Sequence, residues 1–311
     1  MKAEFLKKIL VTGATGFIGK RLVRTLSAHN YQVVTLVRQF NAELATVPNV
    51  TQLLLPAAVE SIESILDNDI DAICHAAAFQ TRAALNHAQL RTYLESNVLL
   101  TDDLLRASSS LGIKRFIYFS AGNAYAQTTA MPAAETDALY PSLSSPYYLG
   151  TKVLAEFFVE HYQQRLGLDA IILRIAAVYG SGMPHGSALT NFIERARQGL
   201  ALEIQGDGSY AADFVYVQDV ADVTLAALES GSPGIYNIGT GAATPLREVA
   251  HQVQQVFHSN APIEFVSAPA GASKGFRPLN CDKARQTWQW TPKTLCEGLT
   301  LMRNELEQRT H

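Results

Sequence analysis

Lys8-Ile-Leu-Val-Thr-Gly-Ala-Thr-Gly-Phe-Ile-Gly19 is the stretch on which the fold turns. An apolar run, Ile9 to Val11, stops at Gly13. Glycines recur at Gly16 and Gly19, and a helical pattern then begins with Leu22, Val23 and Leu26. A buried strand, a tight glycine turn and a helix N-terminus are predicted in that order. Such a turn lets backbone approach a pyrophosphate, which then rests on the unpaired N–H groups of the helix.

Outward from this turn, strands and helices alternate. Tyr31 to Val37 reads as a second buried strand and Val50 to Leu55 as a third. Asp71 to Ala78 is a fourth, Arg115 to Ser120 a fifth and Leu168 to Ile175 a sixth. Helical periodicity runs through Leu94 to Leu111 and Pro146 to Leu166. That alternation implies parallel pairing and an α/β, Rossmann-like, doubly wound sheet. The second half is less regular: a helix over Leu189 to Gly199, a turn at Gly206 to Gly208, a strand over Phe214 to Val217 and a helix over Val220 to Leu228. A strand over Tyr236 to Gly239, a helix over Leu246 to Val256 and a strand over Pro262 to Val266 complete it. With no linker or internal repeat, a smaller C-terminal substrate lobe interwoven with the sheet is expected. Residues 1–175 form the cofactor-binding domain in this reading. Residues 176–311 form the lobe, and segments around 210–240 return to the first domain.

Bulk composition narrows the classes. The chain has 311 residues, 48% hydrophobic and 17% charged, which suits a soluble enzyme-sized protein. The net charge of −3 and the lack of a basic stripe argue against nucleic acid. The three cysteines, Cys74, Cys281 and Cys296, lack metal-ligand spacing. No signal peptide or membrane span is expected, and a reducing cytoplasm is the default compartment. The histidines are isolated, so no metal site is expected.

A second signal is Tyr148-Leu-Gly-Thr-Lys152. Residues four apart share a helix face. A lysine there favours phenolate, lowering a pKa of about 10. A Tyr so tuned passes a proton to or from a hydroxyl while hydride moves to or from a nicotinamide. Tyr147 competes, but the residue four on is Thr151.

Taken together these motifs resemble the extended short-chain dehydrogenase/reductase superfamily, and within it the NAD(P)-dependent epimerase/dehydratase family. The segments His75-Ala-Ala-Ala78, Leu173-Arg-Ile-Ala-Ala-Val-Tyr-Gly180, Asp213-Phe-Val-Tyr-Val-Gln-Asp-Val220, Tyr236-Asn-Ile-Gly-Thr-Gly241 and Trp290-Thr-Pro292 follow in order and extend the resemblance nearly end to end. It implies cofactor contacts at Gly13, Thr15, Gly16, Phe17, Ile18, Gly19, His75, Ala76, Ala77, Asn97 and Ile175, with Tyr148 as acid/base and Lys152 on the nicotinamide ribose. It also implies a homodimer through a four-helix bundle built from 94–111 and 146–166.

The departures concern substrate and cofactor choice. The family's catalytic Ser or Thr position is Ala121 here, and loss of such a donor costs on the order of a hundredfold in rate. Asn123, and after it Ser120, are the candidate replacements. The family's Asn and Arg near the substrate are Ala177 and Ala212, leaving Arg277 as a candidate anion clamp. These losses favour a smaller carbonyl compound, or an unusual sugar nucleotide, over a standard UDP-sugar. Gly122 and Asn123 stand where dehydratases carry an acidic pair. Arg38, after the second strand, suits the 2′-phosphate of NADP, with NAD as the alternative. The rival reading, motivated by Ala121, is an NADP-binding sensor that has lost catalysis.

Overall fold

The computed structural model describes residues 7–55, 62–67, 69–81, 86–125, 132–141, 145–268 and 275–308. In chain order the first half comprises β1 (Lys8–Thr12), α1 (Phe17–Ala28), β2 (Gln32–Val37), α2 (Ala42–Ala45), β3 (Val50–Leu54) and β4 (Ala72–His75). Then come α3 (His87–Leu94), a π-helical turn (Glu95–Leu99), α4 (Leu100–Leu111), β5 (Arg115–Ala121), α5 (Pro146–Leu166) and β6 (Asp169–Ile175). The second half contains β7 (Ala177–Tyr179), α6 (Ala188–Gln198), β8 (Leu202–Gln205), β9 (Ala211–Tyr216), α7 (Val217–Ser230) and β10 (Gly234–Ile238). It closes with β11 (Ala243–Pro245), α8 (Leu246–Val256), β12 (Ile263–Val266), α9 (Asp282–Trp288) and α10 (Leu295–Gln308).

Seven parallel strands form the central sheet in the order β10-β6-β5-β4-β1-β2-β3. The strands carry almost unbroken apolar runs because both faces are covered. On one face Ile9, Val11, Ile117 and Leu173 pack with Val23 and Leu26 of α1 and Val220 and Val223 of α7. On the other Leu10, Ile73, Phe116 and Ile172 pack with Leu104 of α4 and Ala155 and Val159 of α5. The chain winds outward from β1 through β2 to β3, then returns to the other side of β1 as β4. The order therefore reverses between β1 and β4, and a crevice opens at their C-terminal ends, where ligands of open α/β sheets bind.

The remaining strands form two small sheets, β11-β9-β7 and β12-β8. They pack with α6, α8 and α10 around Phe192, Ile204, Val249 and Leu299. β10 lies in the large sheet beside β6 although it follows β7, β8 and β9 in the chain.

Several elements differ from the sequence expectation. The helix expected from Leu94 begins at His87, capped by Asn86 and Gln89 in reciprocal hydrogen bonds, and widens to a π turn over Glu95–Leu99. The strand expected over Phe214 to Val217 spans Ala211–Tyr216, and Val217 already opens α7. β7, β8 and β11 were not anticipated, since three or four residues carry too little periodicity. α10 was missed although Leu295, Gly298, Leu299 and Met302 are buried at helical spacing.

Candidate active site

Gly13 has φ +69°, which favours glycine, and a Cβ there would lie 2.6 Å from the Ala77 nitrogen and 2.7 Å from the Ala76 carbonyl carbon. A Cβ on Gly19 would lie 2.1 Å from the Gly13 oxygen. The first glycine thus lets the turn press on the end of β4, and the third seats α1 on the turn. Gly16 donates its N–H to the Gly13 oxygen at 2.9 Å and is the N-cap of α1. No side chain caps this end and no acidic residue occupies the first turn. The positive end of the helix is therefore left for an anion. Thr15 is exposed, and Phe17 and Ile18 are partly exposed. Arg38 is exposed one residue past β2, whose Leu36 pairs with Thr12 beside the turn.

The end of β4 is fixed by a buried chain of hydrogen bonds. Ala77 N–H donates to Thr12 Oγ1 at 3.2 Å. Thr12 Oγ1 and His75 Nδ1 are 2.6 Å apart, and His75 Nε2 and Thr101 Oγ1 2.9 Å. Thr101 donates its hydroxyl proton to the Asn97 oxygen at 2.9 Å, so the imidazole proton sits on Nε2 and Thr12 donates to Nδ1. Burial pushes His75 down to about 3, aided by the positive charge of Lys152. The imidazole is a neutral clamp, and Ala76 and Ala77 present backbone to the crevice. Asn97 is equally committed. Its Oδ1 accepts from Phe79 N–H at 2.6 Å, and its Nδ2 donates to the Phe79 oxygen at 3.1 Å and to Thr151 Oγ1 at 3.0 Å. The π turn thus ties the loop after β4 to α5.

Tyr148, Lys152 and Glu156 follow one another at four-residue spacing on the inner face of α5. Lys152 is buried, and its ammonium lies 4.5 Å from the centroid of the Tyr118 ring on β5. Tyr148 is partly exposed. The sequence spacing predicts that the lysine lowers the tyrosine pKa, but burial dominates both groups. Desolvation, then the neighbouring Tyr93, pushes Tyr148 up to about 12. Desolvation lowers Lys152 to about 7, with the Glu156 charge opposing. The ammonium rests on Tyr118 and makes no hydrogen bond to a described residue.

Ser120 shares the strand face of Tyr118, since side chains alternate along β5. It therefore points toward α5 and Lys152. Its Oγ is buried without a hydrogen-bond partner among the described residues. Ala121, the register partner of Ile175 at the end of β6, faces the other way. Asn123 sits in the following turn and lines a small crevice together with Ala177, Ala212 and Arg277. The structure thus gathers Ala177 and Ala212 with Asn123 and Arg277 in one place, next to the C-terminal ends of β5 and β6. Arg277 is largely buried and held by Asp137 at 3.0 Å. Asp213, also on this wall, accepts from Thr240 N–H, Thr240 hydroxyl, Gly241 N–H and Leu279 N–H at 2.7–3.2 Å. A larger cleft, of about 570 Å³, lies among Phe214, Thr244, Arg285, Trp290 and Lys293 and contains none of the predicted catalytic, cofactor-binding or anion-clamp residues, although the Trp290-Thr-Pro292 motif lines it.

Sequence reasoning missed Thr12, Thr101, Glu156, Arg174 and Asn237 as parts of the site. The one local signal was Arg174 itself, a charge inside the apolar strand Ile171-Ile-Leu-Arg-Ile175. Among the described residues no group of three His, Cys, Asp or Glu side chains can hold a metal ion, and no helix is long and apolar enough to cross a membrane.

Residues 9–239 match the family model of the NAD dependent epimerase/dehydratase family. A dTDP-4-dehydro-6-deoxy-D-allose reductase of Streptomyces sp is 28% identical over 308 residues, covering 94% of each chain. Among solved structures, the UDP-glucose 4-epimerase of Thermotoga maritima with UDP-glucose superposes with a TM-score of 0.82 at 29% identity, over 98% of this chain and 100% of the other. The UDP-glucuronic acid 4-epimerase of Bacillus cereus, in complex with UDP-glucuronic acid and NAD, gives 0.82 at 26%, over 97% and 99%.

Proposed function

The chain belongs to the NAD dependent epimerase/dehydratase family, and from that premise we propose that it is a nicotinamide-dependent oxidoreductase or epimerase acting at a carbinol or ketone carbon. The observation that carries this reading is a juxtaposition. A glycine turn with no described side-chain cap sits at the switch point of the sheet, and a buried ammonium, Lys152, with no described hydrogen-bond partner, lies over Tyr118 of β5, the register partner of His75 on β4. The turn fits a pyrophosphate, and Lys152 fits ribose hydroxyls. When bound, the nicotinamide supplies or accepts the hydride. The Tyr148 hydroxyl gives a proton to the carbonyl oxygen in the reductive direction and takes it from the carbinol in the oxidative one. Lys152 steadies the phenolate left behind.

For the missing donor at Ala121, the geometry moves Ser120 ahead of Asn123. A buried hydroxyl without a partner costs about 1–3 kcal/mol, which a ligand oxygen in that place offsets. Asn123 serves the substrate wall. The relatives' names share position four of a nucleotide-linked sugar, which supports a sugar nucleotide substrate. The alanines at 177 and 212 and the Asp137-bound Arg277 support one bound differently from a standard UDP-sugar, or a smaller carbonyl compound. NAD follows from the B. cereus relative, while the exposed guanidinium of Arg38 supports NADP as the preferred partner. We further propose a homodimer through α4 and α5, whose exposed apolar side chains include Leu154 and Phe157.

The test is a panel of sugar nucleotides and simple ketones with NADH and NADPH. Turnover abolished by Tyr148→Phe, with cofactor binding retained, is the expected result. Tight cofactor binding with no turnover on any substrate would instead favour the sensor reading. If NADH binds as tightly as NADPH and Arg38→Ala alters neither, the NADP preference is wrong.

A further inference from the structure

A buried ion pair lies one helical turn beyond Lys152. Glu156 and Arg174 are 2% and 4% exposed. The Arg174 Nε donates to both carboxylate oxygens at 3.2 and 3.1 Å, and Nη2 donates to Oε2 at 2.7 Å. Nη1 has other partners. It donates to the Tyr125 hydroxyl and to the Glu135 backbone oxygen, both at 3.0 Å, and Tyr125 in turn donates to Asn237 Oδ1 at 2.6 Å. The pair is therefore held by α5, β6, the turn after β5 and β10 at once.

Taking two charges out of water is rarely a net source of stability, and a well-packed apolar pair often serves as well. The charge at Glu156 therefore calls for a use. The groups facing Lys152 identify one. From β5 comes the uncharged Tyr118 ring, and from β4 the neutral His75. Tyr148 stands one turn back on α5, faced by Tyr93 of α3. Tyr125 is taken up by Arg174. Among the described residues that face the ammonium, the one carboxylate is Glu156, and its charge opposes the desolvation that drives the lysine toward neutrality.

We propose that Glu156, locked in place by Arg174, is a positioning residue of the reaction: its carboxylate keeps the Lys152 ammonium charged and seated on Tyr118 for cofactor and phenolate. The inference rests on the cofactor reading above. A neutral lysine offers the ribose a weaker donor and gives the Tyr148 phenolate no counter-charge, so the four-residue series Tyr148, Lys152, Glu156 acts as one electrostatic unit.

The experiment is binding of NADPH and of NADH, followed by nicotinamide fluorescence, from about pH 6 to about pH 9, and the profile is read with whichever binds the more tightly. Binding by the unmodified protein weakens as pH rises through the lysine pKa. E156Q is expected to move that fall to lower pH by about one unit, so that near neutrality it binds the reduced cofactor roughly fivefold more weakly, a difference that widens to about tenfold by about pH 9 and narrows toward about pH 6. E156D, which keeps the charge, restores the profile. A loss equal at every pH marks a merely structural role and overturns the proposal, as does an unshifted curve. Should E156Q not fold, the double variant E156Q/R174L is compared with R174L alone, which isolates the carboxylate, and coincident curves for those two are equally fatal. Absence of binding of both NADPH and NADH by the unmodified protein overturns the cofactor reading and this inference with it, an outcome distinct from binding with an unmoved profile.

Discussion

His75 shows how one side chain couples site and stability. Its imidazole is buried and neutral, at about 3 in the folded chain against about 6.5 unfolded. The unfolded state therefore binds more protons between those values. The stability due to this group is fully present above about pH 6.5 and is lost as pH falls toward 3, at up to about 1.4 kcal/mol per pH unit. Urea unfolding at several acid pH values should show that slope, and His75→Gln should flatten it at a cost in overall stability. Ser120 makes a second prediction at this scale. If its orphaned hydroxyl replaces the donor missing at Ala121, Ser120→Ala lowers kcat by about a hundredfold. Asn123→Ala acts mainly through KM. Steady-state kinetics of the two variants separate them, and the reverse pattern would return Asn123 to the donor role.

At the scale of the element, two glycines in similar-looking helical sequence have opposite meanings. Gly19, in the first turn of α1, has the Gly13 oxygen where its Cβ would stand, at 2.1 Å. Gly150, in the first turns of α5, has nothing within 4 Å. Gly19→Ala must push the helix off its turn and should cost about 1–3 kcal/mol together with most of the cofactor affinity. Gly150→Ala should stabilise α5 by about 0.5–1 kcal/mol, since alanine loses less backbone freedom on folding. Thermal unfolding of both variants, with NADH titration, checks the pair. A destabilised Gly150→Ala would mean that the space beside it is occupied in solution. The π turn at Glu95–Leu99 is the other element that local patterning did not show. The helical pattern is continuous there, and the widened turn becomes visible only through what Asn97 holds, Phe79 on one side and Thr151 on the other.

At the scale of the molecule, the lobe is joined to the sheet through the strands themselves. β10 lies beside β6, and the Asp213 carboxylate on β9 gathers the N–H groups of Thr240, Gly241 and Leu279 from two other segments. Asp213→Ala leaves those donors unpaired and is expected to destabilise by about 3 kcal/mol or more, read as a lowered Tm. The outer face of α5 bears on assembly. Phe157 is 61% exposed, and Leu154, three residues earlier, 39%. If α4 and α5 pair with a second copy, Phe157→Glu yields a monomer by light scattering, and a monomeric unmodified protein would dismiss the dimer outright.

What the sequence determined by itself was local. The glycine spacing after an apolar run, the strand–helix alternation and the Tyr148/Lys152 spacing lie within short windows, where backbone sterics and periodicity act on neighbours. From these alone came the doubly wound sheet and the place of the cofactor turn. The altered substrate end at Ala121, Ala177 and Ala212 was also visible as a list, but not the crevice that joins Ala177 and Ala212 with Asn123 and Arg277. Tertiary structure decided which partners each group keeps. Arg277 meets Asp137 across 140 positions, His75 meets Thr12 across 63, and Arg174 finds Glu156 on a neighbouring helix. It also decided that Ser120 faces α5 with its hydroxyl unsatisfied among the described residues, and that burial and Tyr93 raise the Tyr148 pKa instead of Lys152 lowering it. Hydrogen bonds and desolvation depend on which distant segments pack together, and no window of sequence contains that information.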